Sequence, residues 1–271
     1  MELRFFRGLW GMTEVSQEAS LRRIQAAGFD GVEMHAPEDP GERQALRDLL
    51  DELGLDLIAQ QQTVGQSPAE HARSFETLYR RAVDLRPRFV NSHTGKDFYT
   101  SAENAAIFCR AAELETEIGI PVTHEIHRGR ATFSIPAAIA LIEAVPGVRF
   151  TADFSHWCVV HESLLEDQAE RMALVIAHSD HIHARVGFPE GPQVNDPRAP
   201  EWQETVAVHL GWWQAIADRH AAEGHSVVTS TSEFGPPGYM PTLPFTRQPV
   251  ADLWEVNLYM RELLKEKLVL R

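Results

Sequence analysis

From residue 93 onward, imidazoles and carboxylates recur at or near the ends of short apolar runs: His93, Glu125, His127, Asp153, His156, His181, His183 and Glu233. Carboxylate oxygens mixed with imidazole nitrogens make a donor set suited to Mn2+, Mg2+, Co2+ or Zn2+, and three carboxylates offset the charge of a dication. Without such an ion the same carboxylates would repel one another. A single carboxylate at a strand end is commonly a cap or an ion-pair partner. It is the ordered set, rather than any one member, that points to a site.

What brings such residues together is the alternation of the chain. Extended patterns at 2–6, 31–35, 55–62, 88–93, 121–126, 148–153, 180–186 and 226–233 are each followed by a helical pattern. Several helices end at a glycine directly before the next extended run, as at Gly28, Gly54, Gly119, Gly147 and Gly224. Glycine suits the left-handed position that closes a helix, so each marks a helix-to-strand turn. Helix starts are marked too: Ser67, Pro68 and Glu70 read as N-cap, first-turn proline and capping-box acid, and Thr100 with Glu103 has the same spacing. Ile135, Ala138, Ile139 and Ile142 form one apolar helical stripe. Eight strand–helix units are what a closed barrel needs, and its strand ends would gather the polar set at one mouth. A doubly wound open sheet lacks support, because no GxGxxG follows a strand and no Walker-type loop is present.

Composition narrows the function. The 271 residues carry a net charge of −14, which disfavours a phosphate-tracking groove and hence a nucleic-acid partner. The two cysteines, Cys109 and Cys158, form no CxxC pair. Neither a leader segment nor a run of about 20 apolar residues is visible, so a cytoplasmic protein without a membrane partner is expected. The Pro/Gly-rich stretches 187–200 and 235–248 follow the seventh and eighth strands and read as lids over the mouth.

The segments AAGFDGVEMH (26–35), FVNSHTG (89–95), THEIHRG (123–129), TADFSHW (151–157), DHIHARV (180–186) and TSEFG (231–235) resemble the xylose-isomerase-like sugar isomerase/epimerase superfamily, which also contains the endonuclease IV type of AP endonucleases. The resemblance spans nearly the whole chain, and its weight lies in the order of short motifs on successive strands. It implies one (β/α)8 TIM barrel over 1–271, with the active site at the C-terminal ends of the strands. It also implies one divalent metal ion held by Glu125, Asp153, His183 and Glu233. His156, the second member of D-x-x-H, would contact substrate. Glu125 and Glu233 would be the catalytic pair, flanking a substrate carbon so that one removes a proton and the other returns one. The implied activity is isomerisation or epimerisation of a carbohydrate or related polyol-derived ketone through a metal-stabilised enediolate. Homodimers or homotetramers would be ordinary.

Arg185 shares the face of His183 by the two-residue period and is a candidate for holding a substrate oxygen. His93 and His127 join the candidate substrate contacts, and Trp10 and Trp157 are candidates for an apolar wall against a sugar ring. His181 reads as a packed or hydrogen-bonded histidine, while Glu33 either joins the site or anchors an arginine. The three-zinc endonucleases carry further histidines that this chain lacks: its third strand ends AQQQTVG (59–65), and the loop 191–200 holds Asp196 without a nearby histidine. That favours one metal. Metal-dependent hydrolysis or elimination on a sugar-like substrate is the rival reading, with a non-catalytic sugar-binding barrel behind it.

Overall fold

The computed structural model describes residues 1–13 and 15–270; Glu14 and Arg271, the latter at the end of the expected domain, lie outside the described residues. Strands β1 (Glu2–Gly8), β2 (Gly31–His35), β3 (Asp56–Gln62), β4 (Phe89–His93), β5 (Val122–Glu125), β6 (Phe150–Ala152), β7 (Ser179–Ala184) and β8 (Val227–Ser232) pair in parallel and in chain order. β8 returns to pair with β1, closing the expected (β/α)8 barrel. The connecting helices are α1 (Gln17–Ala26), α2 (Pro40–Leu53), α3 (Pro68–Val83), α4 (Ser101–Ile118), α5 (Ile135–Ala144), α6 (Ser155–Val160), α7 (Ala169–Ile176), α8 (Gln203–Ala222) and α9 (Leu253–Lys267). No described helix is long and apolar enough to cross a membrane.

The local signals act as their chemistry requires. The five helix-closing glycines have φ between 65° and 85°, a region that costs other residues steric strain. At α4 the capping box is complete: Thr100 Oγ1 accepts from the Glu103 backbone N–H, and Glu103 accepts in return from that of Thr100. At α3 only half forms, because the Glu70 carboxylate reaches one residue further back, to the backbone N–H of Gln66 at 2.6 Å.

Two apolar layers follow from strand alternation. Phe6, Ile58 and Phe89, from three strands, meet inside the barrel, while Phe5 and Val32 face outward into the layer shared with Leu21, Ile24 and Leu50 of the helices. Each such side chain contributes about 1.5–3 kcal/mol when removed from water.

The barrel departs from expectation at the strand ends that matter for the site. The sixth and seventh strands are shorter than their apolar runs, ending at Ala152 and Ala184. In both cases the next residue turns back: the Asp153 N–H donates to Thr151 O at 3.1 Å, and the Arg185 N–H donates to His183 O at 2.9 Å. An i to i−2 bond of this kind is a three-residue turn. It takes Asp153 and Arg185 out of strand alternation and brings their side chains together.

Candidate active site

Four side chains from four successive strand ends converge. Ligand atoms of Glu125 (end of β5), Asp153 (after β6), His183 (in β7) and Glu233 (after β8) all lie within 4.8 Å of one another, and all four residues are buried. Among the described residues Glu125 Oε1 has no hydrogen-bond partner, and His183 Nδ1 and Glu233 Oε2 have only each other, as an ion pair at 2.8 Å. A buried carboxylate oxygen left without a partner is costly, and within a group whose ligand atoms lie within 4.8 Å of one another it fits a cation that each would contact. The donor set of three carboxylates and one imidazole is the set a hard or borderline dication takes.

The surrounding groups fix these four. Asn91 of β4 donates through Nδ2 to Glu33 Oε1 at 2.7 Å and to Glu125 Oε2 at 2.9 Å, tying the two carboxylates across the barrel. His93 Nε2 lies 2.6 Å from Glu125 Oε2. Burial works to raise Glu125, but His93 and His183 beside it hold the carboxyl below the usual carboxylate range. Burial likewise opposes ionisation of Glu33, and its neighbours His183 and His181 outweigh it, keeping the group well below its ordinary value. For Asp153, burial pushes upward with Glu233 and Glu125 adding to it, against the opposing field of the paired Arg185. Arg185 binds Asp153 directly, donates to Ser155 Oγ at 3.1 Å and lies 3.5 Å from Glu233.

Above this group opens a cavity of about 420 Å3, within the range usual for small-molecule sites. Of the expected residues, His93, Glu125, His127, Arg185 and Glu233 line it, whereas Asp153 and His183 lie beneath its surface. Trp10 lines it as well, 42% exposed and edge-on to Tyr239 at 4.9 Å between ring centroids. Tyr239 comes from the loop after β8, as that loop's expected role as a lid requires; Arg247 of the same loop does not line the cavity. The Trp10 ring lies against Gly235, where an added Cβ would fall 2.2 Å from the ring tip.

Two expected substrate contacts do not line the cavity. Trp157 is 0% exposed, donates its indole N–H to Thr132 O at 2.9 Å and packs on Phe154, so it belongs to the layer between barrel and helices and not to the cavity wall. It sits on α6, which begins two residues after the turn at Asp153. His156, one residue before it, is also fully buried and absent from the cavity lining; its Nε2 lies 2.9 Å from Arg185 Nη2. Its reach to a ligand is therefore indirect, through Arg185 or through His127, whose ring centroid is 4.0 Å away.

Further residues line the cavity. Glu33, the strand-end carboxylate with two readings, pairs with no described arginine: Oε2 lies 3.0 Å from His183 Nε2 and accepts from Thr231 Oγ1 at 2.6 Å. The polar His35, Gln60 and Gln62 and the apolar Leu9, Trp10 and Met34 also line the cavity, as does Arg7 of β1. Strand-end position could have marked Arg7, His35 and Gln62, but side-chain type alone singled out none of them. His181 has the geometry of a hydrogen-bonded core histidine, 2.7 Å from Thr229 Oγ1 and 3.0 Å from Thr231 Oγ1.

Residues 21–229 match the family model of the xylose isomerase-like TIM barrel, and the chain belongs to that family. Among solved structures it is similar to endonuclease IV from Thermus thermophilus, at 12% identity and TM-score 0.62 over 97% of this chain and 98% of that one. It is similar to a D-allulose 3-epimerase from Methylomonas sp. solved with D-allulose, at 16% identity and TM-score 0.61 over 98% and 97%. A probable 3-DHS dehydratase from Bacillus anthracis matches at 11% identity and TM-score 0.61 over 97% and 98%. No curated protein sequence matches the chain. At these identities the likeness to solved structures is one of fold, which several chemistries share.

Proposed function

We propose that this protein is a divalent-metal-dependent isomerase or epimerase of a carbohydrate or related polyol ketone, with residues 1–271 acting as one catalytic unit. The observation that carries the reading is the convergence of Glu125, Asp153, His183 and Glu233 within 4.8 Å, with Glu125 Oε1 buried and unpartnered among the described residues, below a sugar-sized cavity. These four residues would hold the ion. When bound, it supplies positive charge that stabilises negative charge developing on adjacent substrate oxygens.

The proton is moved by the chain's own groups. Glu125 and Glu233 both line the cavity; Glu125 Oε1 is unpartnered among the described residues, and Glu233 Oε2 is paired with His183 Nδ1. One takes the proton from carbon and the other delivers one, as acid–base catalysis by positioned carboxylates requires. Asn91 and His93 keep Glu125 ionised and oriented. Arg185 and His127 face the cavity as donors to substrate oxygens, while Trp10 and Tyr239 limit water access from above.

The rival reading, metal-assisted hydrolysis or elimination, is favoured by one observation. His93, Glu125 and His127 form a further cluster with ligand-type atoms within 4.8 Å, sharing Glu125 with the first. Two measurements separate the readings. Elemental analysis of wild-type, Glu125→Gln and Glu233→Gln protein should give about one ion per chain, lost in both variants. Ketoses incubated in D2O should then exchange a carbon-bound proton only with the wild type. Two or more ions per chain without exchange would replace isomerisation with hydrolysis.

A further inference from the structure

Arg7, the penultimate residue of β1, lines the cavity and is 1% exposed. Its guanidinium folds onto the adjacent Gly8, donating from Nη1 to the carbonyl at 2.5 Å, and its Nε has no partner. Among the described residues no carboxylate lies within ion-pairing distance of it. The buried Arg47 and Arg185 are served differently: Arg47 pairs with Asp51 at 2.7 Å and donates to Leu85 O, and Arg185 has Asp153, Ser155 and Glu233 around it. Arg130 is also buried with one carbonyl partner, Thr63 O at 3.1 Å, but unlike Arg7 it does not line the cavity. Burial pushes Arg7 down to about 10, with Glu233 opposing and Arg23 adding to the effect, so the group remains charged near neutral pH.

A buried guanidinium with one carbonyl partner is electrostatically unfinished, because its desolvation is balanced only when a counter-charge arrives. The cavity is the open side from which one can come. A planar guanidinium with spare N–H groups matches a carboxylate or a phosphate, whose paired oxygens accept two such bonds at once. Glu233 is close enough to be felt by Arg7, so the anion-receiving flank adjoins the group that would hold the metal. A substrate seated over that group would place a terminal substituent there.

Resting on the reading that the cavity binds a carbohydrate, we propose that Arg7 receives an anionic oxygen group of the substrate, a carboxylate or a phosphate, so that the protein acts on an acidic sugar and not a neutral one. The shared chemistry is the anion, and the test separates its two sources. Mn2+-loaded protein is titrated calorimetrically with D-galactose, D-galacturonate and D-galactose 6-phosphate, which keep one ring configuration while changing the substituent, and the titrations are repeated on Arg7→Met and Arg7→Lys with metal content measured alongside. The expected result is at least ten-fold tighter binding of one acid than of galactose, lost in Arg7→Met at unchanged metal content and partly kept in Arg7→Lys. The acid that gains identifies carboxylate or phosphate. Equal affinities, no binding of either acid at millimolar concentration, or a preference that survives in Arg7→Met would overturn the assignment. Because binding is read and not turnover, a protein that bound acids without exchanging a proton would keep this inference and lose the proposed reaction.

Discussion

His183 stands between two carboxylates, with Nε2 3.0 Å from Glu33 Oε2 and Nδ1 2.8 Å from Glu233 Oε2; burial opposes its charged form, but Glu233 and Glu33 outweigh it and hold the imidazole well above its ordinary value. Glu33 is thus a positioning carboxylate: its contact with Nε2 fixes the rotation of a metal-type histidine from behind and keeps Nδ1 on the side of Glu233.

Replacing Glu33 with Gln keeps the shape but weakens that hold. Metal affinity is expected to fall by about 10–100-fold, the range typical of such supporting groups, with the fold retained. Calorimetric titration with Mn2+ or Zn2+ checks this, and undiminished affinity would leave Glu33 as a purely structural partner of Asn91 and Thr231.

The two histidines of β7 should separate. His183→Asn removes a nitrogen from the four-residue group and is expected to abolish tight metal binding. His181→Asn breaks contacts to Thr229 and Thr231 inside the barrel, lowering stability by about 1–3 kcal/mol while metal binding persists. Metal analysis beside urea unfolding of both variants distinguishes the outcomes; the reverse order would exchange their roles.

Acid sensitivity above the carboxylate range should come from buried neutral histidines. Burial drives His124 down to about 3, where its Nδ1 is 2.8 Å from Thr94 Oγ1 and its ring lies against Phe108. Burial lowers His209 to about 4. An unfolded chain protonates these rings near 6.5, so their contribution is intact above that pH and is lost as pH falls toward the folded values. For His124 alone the full loss is about 5 kcal/mol at 1.36 kcal/mol per unit. Unfolding midpoints should therefore drop between pH 6.5 and 4.5, and the slope should be shallower in His124→Asn. An unchanged slope would assign the effect to other groups.

Gly235→Ala is expected to displace Trp10, since the new methyl would occupy the place of the ring tip. Trp10 is 42% exposed, so the cost should fall on ligand affinity and hardly on stability. A shift in tryptophan emission with a raised KM and unchanged metal content is the predicted outcome. Unaltered emission and KM would mean that Trp10 does not shape the cavity.

The order of strands and the strand-end location of the polar residues were legible because both follow from short-range rules: helix-closing glycines, caps and apolar periodicity. A closed parallel barrel then has little freedom about where its strand ends go. Trp157 lies away from the cavity for a complementary reason. It sits after a turn that abolishes alternation, and which way the short α6 faces is decided by packing on Phe154 and Thr132, far outside any local pattern. Glu33 was left undecided because its partner His183 is distant in sequence, and a lone strand-end glutamate looks the same whether it meets an arginine or an imidazole. Arg7 gave no cue, since what distinguishes it is the scarcity of partners around it.

The turns after β6 and β7 leave Asp153 and Arg185 on backbone that has already left the sheet, while His183 stands on the ladder itself. What holds the side chains at 153 and 185 is therefore their own buried ion pair, so a change at either alone strands a charge, and the two positions can be rewritten only together.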